Sequence, residues 1–254
     1  MAAFEELHLG IDGDSITAGE QWSFHVYRNL GMKSHSNVAV GSSVWYKRTL
    51  EAAGKAVTTQ DYGAPDFAGI SDGWEPTDDA EEMQKRANNC AVVHIQRFLA
   101  EVKSGNFPIP DIFAFAMGTN DLTEFIGDPD KALTGKELSG NENIDLFTEA
   151  GAARWCIQTI QENFPECRVF VMTPIQTATP EHNKKIEKTI ECLTKICRGL
   201  SVQLIDAYSN CGICEKFEVI GGRGKYLKDG LHPDVEGQTL EGAFATKEIR
   251  NNYF

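Results

Sequence analysis

Four short segments of the chain carry groups able to take part in acyl transfer. Gly13-Asp14-Ser15 follows the apolar run Leu7 to Ile11 and precedes a helical pattern from Trp22 to Leu30, so Ser15 falls at a strand-to-helix turn. A serine on such a turn exposes its hydroxyl and sets its own N–H beside it; one group could attack a carbonyl and the other could receive the oxyanion. A hydroxyl is a weak nucleophile at neutral pH and needs a base. Asp229-Gly-Leu-His232 supplies a base, because a carboxylate three residues before an imidazole can hold one ring nitrogen and leave the other free to accept a proton. Gly118-Thr-Asn120-Asp121 ends the apolar run Ile112 to Met117, where the Asn120 amide could donate to a developing negative charge. Asn37 to Gly41 reads as a strand ending in a glycine whose N–H could complete the hole. Taken singly, each segment is ordinary turn chemistry: a helix cap, an Asx turn or a strand-ending glycine.

The elements that would carry these segments alternate. Apolar runs at Leu7 to Ile11, Asn37 to Val40, Ile112 to Met117, Val169 to Met172 and Val202 to Ile205 read as strands. Amphipathic patterns at 22–30, 81–102, 147–163, 181–198 and 235–250 read as helices between and after them. Buried strands alternating with helices imply a parallel sheet covered on both faces, and such sheets bind ligands beyond the carboxyl ends of their strands. The chain is therefore expected to be one doubly wound α/β domain over residues 1–254. Its longest irregular stretches, 42–79, 121–145 and 208–232, all follow strands and should crowd that edge. All four segments fall there too.

In this order and spacing the segments resemble the SGNH hydrolases, also called GDSL-type esterases and lipases. The blocks stand here as Gly13-Asp14-Ser15-Ile-Thr, Asn37 to Gly41, Gly118-Thr-Asn120-Asp121 and Asp229-Gly-Leu-His232, with Ile16 where the name motif has Leu. The resemblance implies a flavodoxin-like three-layer α/β/α sandwich around a parallel sheet of about five strands. It implies Ser15 as nucleophile, His232 as general base and acid, and Asp229 as the carboxylate that orients it. The Ser15 N–H, the Gly41 N–H and the Asn120 amide would form the oxyanion hole. No metal or organic cofactor is implied.

Composition limits the partners. With 37 acidic against 24 basic residues the net charge is −13, which disfavours nucleic acid and anionic lipid surfaces. No apolar run approaches the 18 or so residues of a membrane span. The acidic start Met-Ala-Ala-Phe-Glu-Glu-Leu lacks the pattern of an export signal, so the chain as written reads as cytoplasmic, although an exported form trimmed of its signal would read the same. Seven irregularly spaced cysteines, including Cys211-Gly-Ile-Cys214, read as reduced structural thiols. Gly221-Gly-Arg-Gly-Lys225 lacks P-loop spacing and reads as a loop leading to Asp229. Asp12, Asp14 and Asp121 are expected to brace turns, and His8, His25, His35, His94 and His182 to be core or surface histidines.

The substrate side is read from aromatic residues. Trp45, Tyr46 and Trp74 are expected to overhang the site, where aromatic faces beside polar groups suit a sugar or similar polar alcohol. The expected reaction is removal of short acyl groups, acetyl above all, from carbohydrate or similar small esters. A lysophospholipase or thioesterase, or a carbohydrate-binding protein that keeps the fold without catalysis, are the alternatives.

Overall fold

The structure, a computed structural model, describes residues 4–19, 21–52 and 54–253. Its strands are β1 (His8–Gly13), β2 (Ser34–Asn37), β3 (Thr49–Ala52), β4 (Lys55–Thr58), β5 (Ile112–Ala116), β6 (Arg168–Met172) and β7 (Gln203–Ile205). The helices are α1 (Trp22–Leu30), α2 (Ala80–Ala87), α3 (Ala91–Lys103), α4 (Pro129–Ala132), α5 (Glu149–Asn163), α6 (Pro180–Gly199), α7 (Ala207–Asn210) and α8 (Val235–Asn252). Five strands form one parallel sheet in the order β2-β1-β5-β6-β7, and β3 and β4 form a separate antiparallel hairpin.

The apolar runs work as two-sided strands. In β5, Phe113 and Phe115 join one core with α3, α5 and α6, while Ile112, Ala114 and Ala116 join the other with α1 and α8. β6 repeats the division, with Val169 and Val171 on the first face and Phe170 and Met172 on the second. Successive side chains of a strand point to opposite faces, so a strand covered on both sides must be apolar throughout. The result is the expected α/β/α sandwich. None of the described helices is long and apolar enough to cross a membrane.

The structure differs from the sequence expectation in three places. The second strand lies at Ser34–Asn37, ahead of the apolar Val38 and Val40, because this edge strand is polar and Val38 N–H already donates to Ile11 O beyond the strand end. The helix expected over 81–102 is two helices, broken at Asn88-Asn89-Cys90, where Cys90 adopts an extended conformation. Asn88 and Asn89 spend their side chains on other loops: Asn88 bonds Gly69 O and Gln60 N–H, and Asn89 donates to Gly41 O at 2.7 Å. The irregular stretch 42–79 also holds the β3-β4 hairpin, which packs Leu50 against Met83 and Ala87 of α2.

Candidate active site

The chain passes from β1 out to β2 and returns on the other side of β1 as β5, so the strand order reverses between β1 and β5. Crevices form at such reversals, beyond the carboxyl ends of the strands. Ser15 lies two residues past β1 and Asn120 four past β5. Gly13 is tightly enclosed there: a Cβ on it would stand 2.4 Å from Thr17 Oγ1 and 2.5 Å from Ala116 O. Thr17 Oγ1 donates to Ala116 O at 3.2 Å, Asn37 Nδ2 to Thr17 O at 3.1 Å and Gln21 Nε2 to Ser15 O at 3.1 Å, so the serine turn is tied to both neighbouring strand ends.

His232 arrives from the loop before α8. Gly230 takes the left-handed conformation (φ 84°), and a Cβ there would meet Val219 O at 2.6 Å, so the turn needs glycine. Asp229 Oδ1 accepts from the N–H groups of Leu231 and His232 at 3.0 and 2.8 Å, while Oδ2 lies 2.8 Å from His232 Nδ1. An ionised carboxylate only accepts, so Nδ1 carries the hydrogen and Nε2 is left with its lone pair. That nitrogen lies 2.9 Å from Ser15 Oγ. Partial burial alone would push the Asp229 carboxyl up, yet the hydrogen bonds from His232 and Leu231 outweigh it and hold it below its ordinary value. Asp229 is thus kept as the carboxylate over the neutral range.

The three expected donors lie in the loops that follow β1, β2 and β5. Asn120 Nδ2 gives one hydrogen to Ser43 O at 3.1 Å, which fixes the amide orientation and leaves its second hydrogen for a ligand. Among the described residues, neither the Ser15 N–H nor the Gly41 N–H donates to another protein group. Ser42, next to Gly41, has φ 58°, a left-handed conformation that a serine adopts at a cost of about 1–3 kcal/mol, and such strain gathers where loops are held for function. The Asp72 carboxylate lies over Gly41, where a Cβ would stand 2.4 Å from Oδ2 and would push that exposed side chain aside. Sequence reasoning passed over Asp72, whose position against Gly41 is set by a loop with no motif.

Buried carboxyls lie beneath the site. Asp14 accepts from Ile16 N–H at 3.0 Å and Thr119 N–H at 3.3 Å, joining the serine turn to the Asn120 turn; burial pushes its carboxyl up. Asp121 accepts from Trp45 N–H at 3.1 Å and so fastens the loop after Gly41. Burial first, and the nearby Asp14 charge next, push Asp121 up to about 7, against an ordinary 3.8. Glu149 of α5 is also pushed well up, by burial and by Asp121. A carboxyl raised on folding contributes its full stability below its unfolded value and loses it as the pH rises through the folded one. The unfolding free energy should therefore decline between about pH 4 and 7 through this group. Asp121→Asn keeps the acceptor for Trp45 and removes the charge, so urea unfolding should fall less between pH 5 and 8 in the variant than in the wild type; equal slopes would refute the assignment.

Two cavities meet at Asn120. One, of about 420 Å³, is lined by apolar side chains including Val44, Leu50, Leu122, Phe125 and Phe147, together with Tyr46. The other, of about 390 Å³, is lined by Thr119, Thr179, Glu181, His182, Lys185 and Leu231, next to His232. Trp74, 53% exposed, lines both. Tyr46 lines the apolar cavity and takes the Leu122 N–H on its hydroxyl at 3.3 Å. Trp45 is placed otherwise: it is fully buried in the core with its ring 5.3 Å from Phe115 and lines neither cavity. His182 is not a plain surface histidine, since Nε2 lies 2.6 Å from Thr119 O and both residues line the second cavity. The seven cysteines are free and six are buried.

The structure is thus a five-stranded parallel α/β/α sandwich with a serine, an imidazole and a carboxylate in hydrogen-bonded line at the switch point of its sheet. The chain belongs to the GDSL-like lipase/acylhydrolase family, whose family model matches residues 13–241. Similar solved structures include a protein from Lactobacillus plantarum (TM-score 0.59, 13% identity, covering 98% of this chain and 99% of that one) and the lipase/acylhydrolase from Enterococcus faecalis (0.53, 15%, 96% of each). A G-D-S-L family protein from Desulfitobacterium hafniense DCB-2 is also similar (0.54, 13%, 96% of this chain and 99% of that one). At these identities the likeness speaks for the fold. No curated protein matches the chain by sequence.

Proposed function

We propose that the protein is a carboxylic ester hydrolase in which Ser15 attacks, His232 moves the proton and Asp229 orients His232. The observation that carries this reading is the unbroken line Ser15 Oγ, His232 Nε2, His232 Nδ1, Asp229 Oδ2, with contacts of 2.9 and 2.8 Å. Ser15 Oγ adds to the ester carbonyl as its proton passes to Nε2. The carbonyl oxygen, now negative, takes hydrogen bonds from the Ser15 and Gly41 N–H groups and the Asn120 amide. Collapse expels the alcohol, which leaves with the proton from Nε2. Water, deprotonated by the same nitrogen, then releases the acid and frees Ser15. His232 must carry no hydrogen on Nε2 for the first step to begin.

The two cavities suggest how the substrate is divided. The one lined by Leu231, the residue before His232, suits the leaving alcohol: its wall is mostly apolar, and Thr179, Glu181, His182 and Lys185 are the polar groups on it that would bond a polyol such as a sugar. The other, beyond Asn120 and lined by Phe125 and Phe147, suits the acyl group. Its 420 Å³, within the ~300–1,000 Å³ usual for small-molecule sites, is more room than an acetyl group fills. This observation favours a second reading for the acyl part, a lipid-like acylhydrolase taking medium chains.

A panel of p-nitrophenyl esters from acetate to decanoate, run beside acetylated oligosaccharides and lysophospholipids, tests both. We expect kcat/KM to rise by up to about fourfold for each methylene added to acetate, which is the ~0.8 kcal/mol gained per buried methylene, and to level off at a chain of intermediate length. A maximum at acetate, with acetylated oligosaccharides preferred, would return the reading to short-acyl carbohydrate esters. A folded protein that turned over none of the panel would sink the hydrolase reading.

A further inference from the structure

A second carboxylate-imidazole pair lies in the core behind the oxyanion loop. Asp12 of β1 and His94 of α3 are both fully buried, with Asp12 Oδ1 2.8 Å from His94 Nδ1. His94 Nε2 lies 3.1 Å from Asn89 Oδ1, and Asn89 Nδ2 donates to Gly41 O at 2.7 Å. At the other end, Asp12 Oδ1 accepts from Gly13 N–H at 2.8 Å. The chain of contacts therefore begins in the turn that carries Ser15 and ends on Gly41.

The directions of these bonds follow from donor and acceptor chemistry. A carbonyl can only accept, so the Asn89 nitrogen faces Gly41 and its oxygen faces His94. His94 Nε2 must then carry a hydrogen. On the other side Asp12 Oδ1 already takes the Gly13 N–H, so one further proton lies between it and Nδ1. Asp12 Oδ2 has no hydrogen-bond partner among the described residues. A fully buried carboxyl with an unpaired oxygen is expensive in a fold held only by stability, and apolar side chains of that shape would serve the core better.

The local geometry shows what the arrangement holds. Upstream of Gly41, Val40 N–H donates to Gly13 O at 3.3 Å, and two residues downstream Ser43 Oγ donates to the same carbonyl at 2.9 Å. Downstream, Asn89 holds the Gly41 carbonyl. With both flanking peptides fixed, the direction of the Gly41 N–H is fixed as well. The break between α2 and α3 is what puts Asn89 within reach of the loop.

We infer that Asp12, His94 and Asn89 are positioning residues for catalysis, a buried relay that aims the Gly41 N–H at the oxyanion and ties it to the serine turn. The inference rests on the ester hydrolase reading of this site. None of the three touches the reacting atoms. Misplacing a group by about 1 Å can lower a rate by about 10²-fold, so the expected loss lies between about 10-fold and 10²-fold in kcat.

The decisive variant is Asp12→Asn, which changes no volume. An amide oxygen at Oδ1 can still accept from Gly13 but cannot also supply a proton to a bare Nδ1, so His94 takes its proton on Nδ1 and Nε2 loses the hydrogen that Asn89 needs. Asp12→Asn and Asn89→Ala should each lower kcat on a p-nitrophenyl ester by about 10-fold to 10²-fold with KM unchanged, and the double variant should lose no more than the worse single one. Multiplying losses, or a kcat within about twofold of wild type in either single variant, would overturn the relay; so would a changed KM at constant kcat. Nitrogen-15 spectra of the wild type at pH 8 supply a readout independent of turnover. They should show His94 protonated at Nε2, and a bare Nε2 would end the inference. A wild type that turned over no ester while showing the protonated Nε2 would instead remove the hydrolase reading, and the catalytic role of the relay with it.

Discussion

Ser15→Ala should leave p-nitrophenyl ester hydrolysis at about 10⁻⁴ of the wild-type kcat or lower, with little change in folding. The side chain is small, lies at the cleft, and its hydroxyl bonds only His232 Nε2 among the described residues. Removing it empties no core volume. What is lost is the sole oxygen nucleophile on the line to Asp229, and water has no comparable placement. Serine and histidine act as a unit, so His232→Ala should fall by a similar factor and the double variant scarcely further. The oxyanion donors survive in all three proteins, and with them the residual rate, which elsewhere stays about 10³–10⁴-fold above that in water. A fluorophosphonate followed by mass spectrometry gives an independent readout: the wild type should gain one adduct on Ser15 and the variant none. A Ser15→Ala protein that matched the wild-type rate, or was labelled as readily, would remove Ser15 from the chemistry.

The parts of this site that sequence made legible are those whose partners lie close along the chain or recur as fixed blocks. Asp229 and His232 are three residues apart on one turn, and Ser15, Gly41 and Asn120 each end a run that reads as a strand. The sheet was legible for a related reason, since strands buried on both faces must be apolar from end to end, as β5 is. Polar elements escaped. β2 is Ser-His-Ser-Asn, an edge strand with no apolar signature, and the β3-β4 hairpin packs only a small satellite core. The α2-α3 break was invisible because the apolar period runs through it, and because what ends α2 is a set of side-chain bonds to distant loops. His94 was hidden for the same reason: its partner Asp12 stands 82 residues away, and no local spacing announces the pair. Trp45 shows the converse error of reading exposure from loop sequence. Its peptide N–H is held by Asp121 and its ring fills space over Phe115, which makes the loop part of the core.

Asn120→Ala should lower kcat by about 10²–10³-fold while KM for a p-nitrophenyl ester stays within a few-fold, because the donor meets the oxygen most strongly once that oxygen is charged. The amide is well prepared for this. One Nδ2 hydrogen is spent on Ser43 O at 3.1 Å, so the other is aimed without any reorganisation at the moment of reaction. The bond to Ser43 also contributes stability, about 0.5–1.5 kcal/mol for an ordinary hydrogen bond, so a modest fall in the unfolding midpoint should accompany the loss of rate. Asn120→Asp separates the two effects. It preserves shape, yet at neutral pH it sets a carboxylate oxygen against the Ser43 carbonyl and a negative charge where the oxyanion must form. Its kcat should fall at least as far as that of the alanine variant. If Asn120 only braced the loop, both variants would lose stability and keep kcat in the folded protein. Rates within about threefold of wild type for Asn120→Ala would show that the Ser15 and Gly41 N–H groups hold the oxyanion alone.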